Sequence, residues 1–384
     1  MLSMPLYRGT AVGNQPMKRK GVPKPCRHCG RHVPVAASLG VCRNCILDDF
    51  DAVEARIAKA HARVRSDFGL PTNIPKTGVQ CTQCVNMCMP DENELGFCGI
   101  REAKGGAVRQ VDGGAILEWY YDPLPTNCVA DFVCPSGTGD GYPGCSGSKS
   151  PGHGRKNLAV FYGACNFSCL FCQNWQYRKL TKARGPVMTA EELAGKADRK
   201  TSCICYFGGD PSPQIEHSIR TSEITMARDH PVRICYETNG SMNRRYFKRI
   251  AELSYESGGC VKIDLKAWNA TLSKALCGTD NSWTLNNFRW LADYQRGLKD
   301  RGIPLLIAST LMIPGYVEKE EVSQIAGFIA SLDDRIPYSL LAFSPNFEMK
   351  DLPLVNERIA TECVDAAKDA GLRNVRLGNA HLID

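Results

Sequence analysis

Twenty cysteines in 384 residues, most of them in short-spaced sets, constrain this sequence more than any other feature. Small secreted proteins use dense thiols for disulfides. This chain is long, and its opening, MLSMPLYRGTAVGNQPMKRK, has no apolar run of the kind that forms a secretory signal. Reduced thiols grouped at ligand spacing read instead as metal sites. No stretch reaches the roughly 18 apolar residues of a membrane span, so the expected location is cytoplasmic with no membrane partner. Net charge is +7, from 47 Lys+Arg against 40 Asp+Glu, and the basic pieces (Lys18-Arg19-Lys20, Arg244-Arg245, Lys248-Arg249) are short. A nucleic-acid partner is permitted by that balance but not favoured by it.

Residues 1–25 are polar, contain Pro and Gly, and are expected to form a disordered tail. Cys26-x2-Cys29 and Cys42-x2-Cys45, with 12 residues between them, have the spacing of a zinc ribbon. Four thiolates close a tetrahedron, so the expected role is structural. Asp48 is expected to cap a helix that carries Phe50, Val53, Ile57, Val64 and Phe68 on one face and ends at Gly69 and Pro71. Residues 26–70 thus read as a zinc-ribbon-like module plus a linker helix. Residues 71–154 form a second Cys-rich region, irregular from Gly105 to Ser150. There Cys81, Cys84, Cys88 and Cys98 suit either zinc or an auxiliary iron–sulfur cluster. Cys128, Cys134 and Cys145 could extend that site or build another.

From Asn157 onward the pattern changes. Apolar runs at Leu158–Tyr162, Cys203–Phe207, Arg233–Tyr236, Val261–Leu265, Leu305–Met312, Ser339–Phe343 and Asn374–Leu377 alternate with helical segments such as Ala190–Asp198 and Asn243–Ser254. Alternating strands and helices mean βαβ units and a parallel sheet. The expected class is α/β, a partial (β/α)6 barrel over residues 155–384 behind a small Cys-rich N-terminal region. Cys165-x3-Cys169-x2-Cys172 follows the first of these strands, so its loop falls at the face where such folds place their sites. Three thiolates can hold three irons of a [4Fe–4S] cluster and leave the fourth iron to a small molecule bearing an amine and a carboxylate. Phe171 is placed to shield the cluster and pack near an adenine. Cys203 and Cys205 share one face of a strand; with Cys235, Cys260, Cys277 and Cys363 they read as core packing. His153 and His217 are isolated and take no assigned role.

The C-x3-C-x-aromatic-C pattern resembles the signature of the radical S-adenosylmethionine (SAM) enzymes. Cys172-Gln173-Asn174-Trp175 is similar to the branch with the pyruvate formate-lyase activating enzyme. Gly208-Gly209-Asp210-Pro211 resembles that family's G-G-E-P, which holds the SAM amino group. Glu237-Thr238-Asn239-Gly240 resembles a turn contacting ribose and methionine. Asp264-Leu265-Lys266 resembles the segment whose lysine meets the SAM carboxylate, and Ile313-Pro314-Gly315 a turn near the adenine. The Cys81–Arg101 segment, Phe343-Ser344-Pro345, Asp351-Leu352-Pro353 and the chain end resemble the AmmeMemoRadiSam-type members. The resemblance implies catalysis through Cys165, Cys169 and Cys172 and SAM binding by Phe171, Asn174, Gly208, Gly209, Asp210, Thr238, Asn239, Asp264 and Lys266. It implies reductive cleavage of SAM to methionine and a 5′-deoxyadenosyl radical, an oxidoreductase chemistry fed by a one-electron donor such as flavodoxin or ferredoxin, and a protein or peptide substrate. Alternatives are an RNA-modifying radical SAM enzyme, a cobalamin-dependent C-methyltransferase (no D-x-H-x-x-G motif is present), and an iron–sulfur electron carrier.

Overall fold

The computed structural model describes residues 24–110, 113–126, 128–139 and 152–384. The expected tail lies outside the described residues except for Lys24 and Pro25, and Cys145 lies outside them too. Those two residues are paired: β1 (Lys24–Pro25) and β2 (His32–Val33) run antiparallel around the first cysteine knuckle. The helices α1 (Arg43–Asp48) and α2 (Phe50–Asp67) follow. Asp48 ends α1 instead of capping α2, because Asp49 at φ −149° and ψ 56° breaks the helix there and makes no side-chain cap. Val53, Ile57 and Val64 are buried as their spacing requires, joined by Ala60, His61 and Arg65. Gly69, at φ +66°, turns the chain away after α2.

An antiparallel hairpin, β3 (Arg101–Lys104) and β4 (Ala107–Gln110), leads to β5 (Ala115–Pro123) and the short α3 (Pro135–Thr138). The first part of the sheet region then contains β6 (Lys156–Tyr162), α4 (Tyr177–Ala183), β7 (Val187–Met188), α5 (Ala190–Ala194), β8 (Thr201–Gly208), α6 (Ile215–Met226), β9 (Arg233–Thr238) and α7 (Arg244–Glu256). It continues with β10 (Val261–Asp264), α8 (Ala270–Cys277), α9 (Ser282–Arg296), β11 (Leu306–Met312), α10 (Lys319–Leu332), β12 (Tyr338–Ala342), α11 (Glu357–Asp369) and β13 (Val375–Gly378). One sheet has the order β13-β12-β11-β10-β9-β8-β6-β5-β7. β6 and β8 to β13 are parallel; β5 runs antiparallel on β6 and β7 on β5.

All seven expected strands are present within two residues of their expected ends, one more parallel strand than six units require. Leu158–Tyr162 is apolar and buried at every position because both faces are covered; Val261–Ile263 is buried throughout as well, with Lys262 inside it. The irregularity expected between Gly105 and Ser150 is corrected by β4 and β5. Strand β5 takes its hydrogen bonds from β6, with Leu117 opposite Tyr162, and a non-local partner leaves no trace in local composition. Helix α5 stops at Ala194, short of the expected Asp198, with Gly195 next in the chain. Among the described residues, no helix is long and apolar enough to cross a membrane.

The N-terminal module is packed onto the α/β sheet region. The Tyr316 hydroxyl accepts from the Ala36 amide at 3.1 Å and donates to the Val41 carbonyl at 2.9 Å. Arg43 pairs with Glu321 at 3.3 Å. His61 Nε2 lies 3.0 Å from the Ala275 carbonyl, near the end of α8. Burial pulls the His61 pKa from 6.5 down to about 4. The unfolded chain therefore takes up this proton as pH falls below 6.5 and the folded chain only near 4. Stability from neutral His61 is full above the upper value and is lost toward the lower one, by about 3 kcal/mol. His61→Gln keeps the bond to Ala275 without the titration. The wild-type advantage over it in denaturant unfolding is expected to shrink between pH 6.5 and 4; a constant difference would refute this account.

Candidate active site

The loop after β6 carries Cys165, Cys169 and Cys172 and has no regular structure, so hydrogen bonds must fix it. The Ser168 and Leu170 amides donate to the Cys277 and Leu276 carbonyls at 2.8 and 3.0 Å. Asn166, fully buried, accepts from Asn86 Nδ2 at 2.6 Å on its carbonyl and from Asn239 Nδ2 at 2.7 Å on its side chain, and donates to Ser241 Oγ at 2.7 Å. The Tyr177 hydroxyl donates to the Phe167 carbonyl at 3.3 Å. The Cys277 thiol stands beside Cys169 and is the main cause of that thiol's lowered pKa; burial opposes it, and Lys266 and Arg178 add to it. Burial pushes Cys165 and Cys172 up.

All three cysteines open onto one cavity of about 500 Å³ at the C-terminal ends of the parallel strands, together with every residue expected to contact SAM: Phe171, Asn174, Gly208, Gly209, Asp210, Thr238, Asn239, Asp264 and Lys266. The two glycines are steric necessities, because the β8 turn crosses the backbone of the cysteine strand. A Cβ at Gly208, which has φ +109°, would lie 2.5 Å from Tyr162 N, and one at Gly209 would lie 2.1 Å from Ala164 O. Asp210 is 3% exposed, and its carboxylate accepts from the Ser212 amide at 2.8 Å, the Asn239 amide at 2.8 Å and the Thr238 hydroxyl at 3.0 Å. Burial raises its pKa while these donors oppose the shift. Its side chain thus brackets the β8 and β9 turns together. Asp264 accepts from Ser309 Oγ at 2.5 Å and from Lys266 Nζ at 2.8 Å. Burial opposes the Lys266 charge, but Asp264 and the nearby thiols hold it up. The Ile313-Pro314-Gly315 turn does not line the cavity; the N-terminal module covers it, with Pro34 O where a Gly315 Cβ would sit.

Glu237 of the expected ribose-contacting turn also lines this cavity, as do Cys128, Arg376 and His381, to which the sequence reading assigned no role there. Beneath it lies a second cavity of about 130 Å³, which shares Cys128, Phe207 and Glu237 with the first and is walled by Cys134, Cys203, Cys205, Cys235 and Cys260. Lys262, 2% exposed, donates to Glu237 at 2.8 Å, Cys205 at 3.1 Å and Cys128 at 3.3 Å. Burial alone would lower its pKa; Cys128, Cys205 and Glu237 hold it well up. Cys203, Cys205 and Cys260 are buried as core packing requires and Cys235 packs against them, and together they also wall a cavity around a buried ammonium. Cys277 and Cys363 are fully buried as expected. His217 accepts or donates at 2.9 Å to the Tyr162 hydroxyl, and His153 is exposed.

The other two cysteine sets differ in tightness. Cys26, Cys29, Cys42 and Cys45 have ligand atoms all within 4.8 Å of one another, alone among the described residues in doing so. Their Sγ separations include 3.8 Å (Cys26–Cys45), 3.9 Å (Cys29–Cys42) and 3.5 Å (Cys42–Cys45). A zinc tetrahedron with Zn–S bonds near 2.3 Å has edges of about 3.8 Å. Cys81, Cys84, Cys88 and Cys98 are electrostatic neighbours but stand wider than that. Their segment touches the active site, since Asn86 of the Cys84–Cys88 loop bonds Asn166.

Residues 159–329 match the family model described as the Radical SAM superfamily. The uncharacterized protein MJ0808 of Methanocaldococcus jannaschii is 26% identical over 307 residues, 78% of this chain and 81% of that protein. The uncharacterized protein MJ0674 of the same organism is 22% identical over 54% of this chain and 60% of its own length. Among solved structures, a domain of pyruvate-formate lyase-activating enzyme from Bacteroides vulgatus aligns with a TM-score of 0.37 and 20% identity over 46% of this chain and 98% of that domain. Streptococcus suis SuiB bound to its precursor peptide aligns with a TM-score of 0.43 and 14% identity over 57% of this chain and 47% of that one. The matched family segment starts in the strand that presents the three cysteines and runs through the strands that carry the Gly-Gly, Thr-Asn and Asp-x-Lys turns, so this part of the chain is similar to the Radical SAM superfamily over most of the residues that build the cavity.

Proposed function

We propose that Cys165, Cys169 and Cys172 hold a [4Fe–4S] cluster and that the residues around them bind SAM at its open iron. The observation that carries this reading is the single cavity that gathers three soft thiol donors and all nine candidate SAM contacts. When bound, the cluster supplies the electron that splits SAM into methionine and a 5′-deoxyadenosyl radical. The chain's own part is placement and exclusion of water. Lys266 carries a charge suited to a carboxylate. The Gly208–Gly209 backbone, left bare of side chains, meets an amino group, with Asp210 rigidifying the turn. Phe171, 3% exposed with Lys266 Nζ 5.8 Å from its ring centroid, walls the adenine side. On the resemblance of Cys172–Trp175 to the activating-enzyme branch, the substrate is a protein or peptide, and a flavodoxin or ferredoxin supplies the electron.

The ribbon cysteines hold zinc in a structural role, and the wider Cys81, Cys84, Cys88 and Cys98 set suits an auxiliary iron–sulfur cluster better than a single zinc ion.

Two measurements test these assignments. Anaerobically reconstituted protein given SAM and dithionite is expected to form 5′-deoxyadenosine, and Cys169→Ala to reduce this to background while keeping its N-terminal metal; activity persisting in that variant would overturn the cluster assignment. Cys42→Ala is expected to lose one zinc per chain and to lower the thermal midpoint by several degrees, as loss of a structural metal does. A chain that keeps its midpoint but no longer cleaves SAM would contradict the structural role.

A further inference from the structure

Arg178 lies on α4, six residues beyond Cys172, and its side chain is fully buried. Its Nε, Nη1 and Nη2 have no hydrogen-bond partner among the described residues. What surrounds it is aromatic: the guanidinium lies 4.5 Å from the Tyr177 ring centroid and 4.6 Å from that of Phe347. Phe347 in turn stacks on Trp175 at 5.6 Å, and the Glu348 amide donates to the Leu170 carbonyl at 3.1 Å, so this wall is fastened to the cysteine loop. The other buried guanidinia have polar partners. Arg65 donates to the Pro71 and Phe97 carbonyls, and Arg101 pairs with Glu216 at 3.2 Å. A fixed charge buried without partners is a costly arrangement, tolerated where a compensating charge is close.

That charge comes from the cysteine loop. Burial disfavours the charged guanidinium, and the groups that offset this are Tyr177, Cys172, Cys165 and Cys169. Ligation to iron turns all three cysteines into thiolates, which places lasting negative charge in front of Arg178. We propose that Arg178 is the buried counter-charge of the iron–sulfur cluster and sets how readily that cluster accepts an electron. This rests on the cluster assignment above. One-electron reduction adds a negative charge to the cluster, and a nearby cation favours that state. Arg178 is therefore a positioning and tuning residue; it does not line the cavity and touches no substrate.

The role separates from packing by a reversal of sign between the metal-free and loaded protein. Arg178→Met keeps the bulk and removes the charge; Arg178→Lys keeps a charge. The full chain is reconstituted with iron and sulfide, its iron counted, and its reduced cluster followed by electron paramagnetic resonance in an anaerobic redox titration. At the wild-type midpoint, Arg178→Met is expected to show a reduced-to-oxidised ratio lower by about tenfold, with Arg178→Lys close to wild type. The metal-free Arg178→Met chain is expected to melt at or above the wild-type temperature, because it no longer buries a guanidinium without hydrogen-bond partners. An unchanged ratio at full iron content, or a metal-free Arg178→Met chain that melts well below wild type, overturns the counter-charge role alone. A wild-type chain that takes up no iron through Cys165, Cys169 and Cys172 overturns the underlying assignment with it.

Discussion

One buried asparagine holds the reactive loop in place. Asn166 uses its carbonyl and both side-chain polar atoms, and its partners come from two distant parts of the chain: Asn86 in the Cys-rich N-terminal region, and Asn239 and Ser241 in the turn after β9. In a buried setting an unmade bond costs more than a made one gains, so a fully satisfied network of this kind specifies one arrangement. The position of three sulfurs thus depends on residues 73 to 80 positions away, and the N-terminal region forms part of the active site's frame. Helix α2 supports the same frame from behind, through His61 on α8 and α8 on the loop backbone.

The polar residues of the cavity divide between bracing and display. Asp210, Thr238 and Asn239 direct their side chains at each other and at Asn166. Their burial is compatible with charge and polarity because every donor there meets an acceptor. Lys266 is held in a charged state by Asp264. A binding pocket built in this way needs little rearrangement when a ligand arrives, since its dipoles are already oriented. The shorter aspartate at 210, set against the glutamate of the family motif, reaches the β9 turn from the strand end.

Much of this was legible in the sequence, for an identifiable reason. Parallel strands buried on both faces print as near-continuous apolar runs, and Leu158–Tyr162 or Leu305–Ala308 can hardly be read otherwise. Motifs at strand ends inherit their location from the topology, so once the resemblance had marked the Gly-Gly, Thr-Asn and Asp-x-Lys turns, their meeting around one cavity followed. What stayed hidden depends on distant partners. Strand β5 exists because β6 offers an edge. The thiols of Cys203 and Cys205 were placed on one face by period two, but the character of that face is set by Lys262, some 57 residues away. Arg178 gives no local signal at all; a single arginine in a short helix is ordinary until its surroundings are known. The Ile313-Pro314-Gly315 turn shows the opposite failure, a familiar motif whose neighbour here is Pro34.

The two cavities meet at Cys128, and this bears on containment. Sulfur–hydrogen bonds are weaker than most carbon–hydrogen bonds, so a thiol gives up its hydrogen atom readily to a carbon-centred radical. A radical formed in the upper chamber has such a donor in its own wall, with five more cysteines walling the chamber below. Under the proposed chemistry, the seated substrate would therefore also act as a cover between the radical and the floor. A molecule too small to reach across would leave the enzyme open to attack on itself, and the discrimination between good and poor substrates is then also a means of self-preservation.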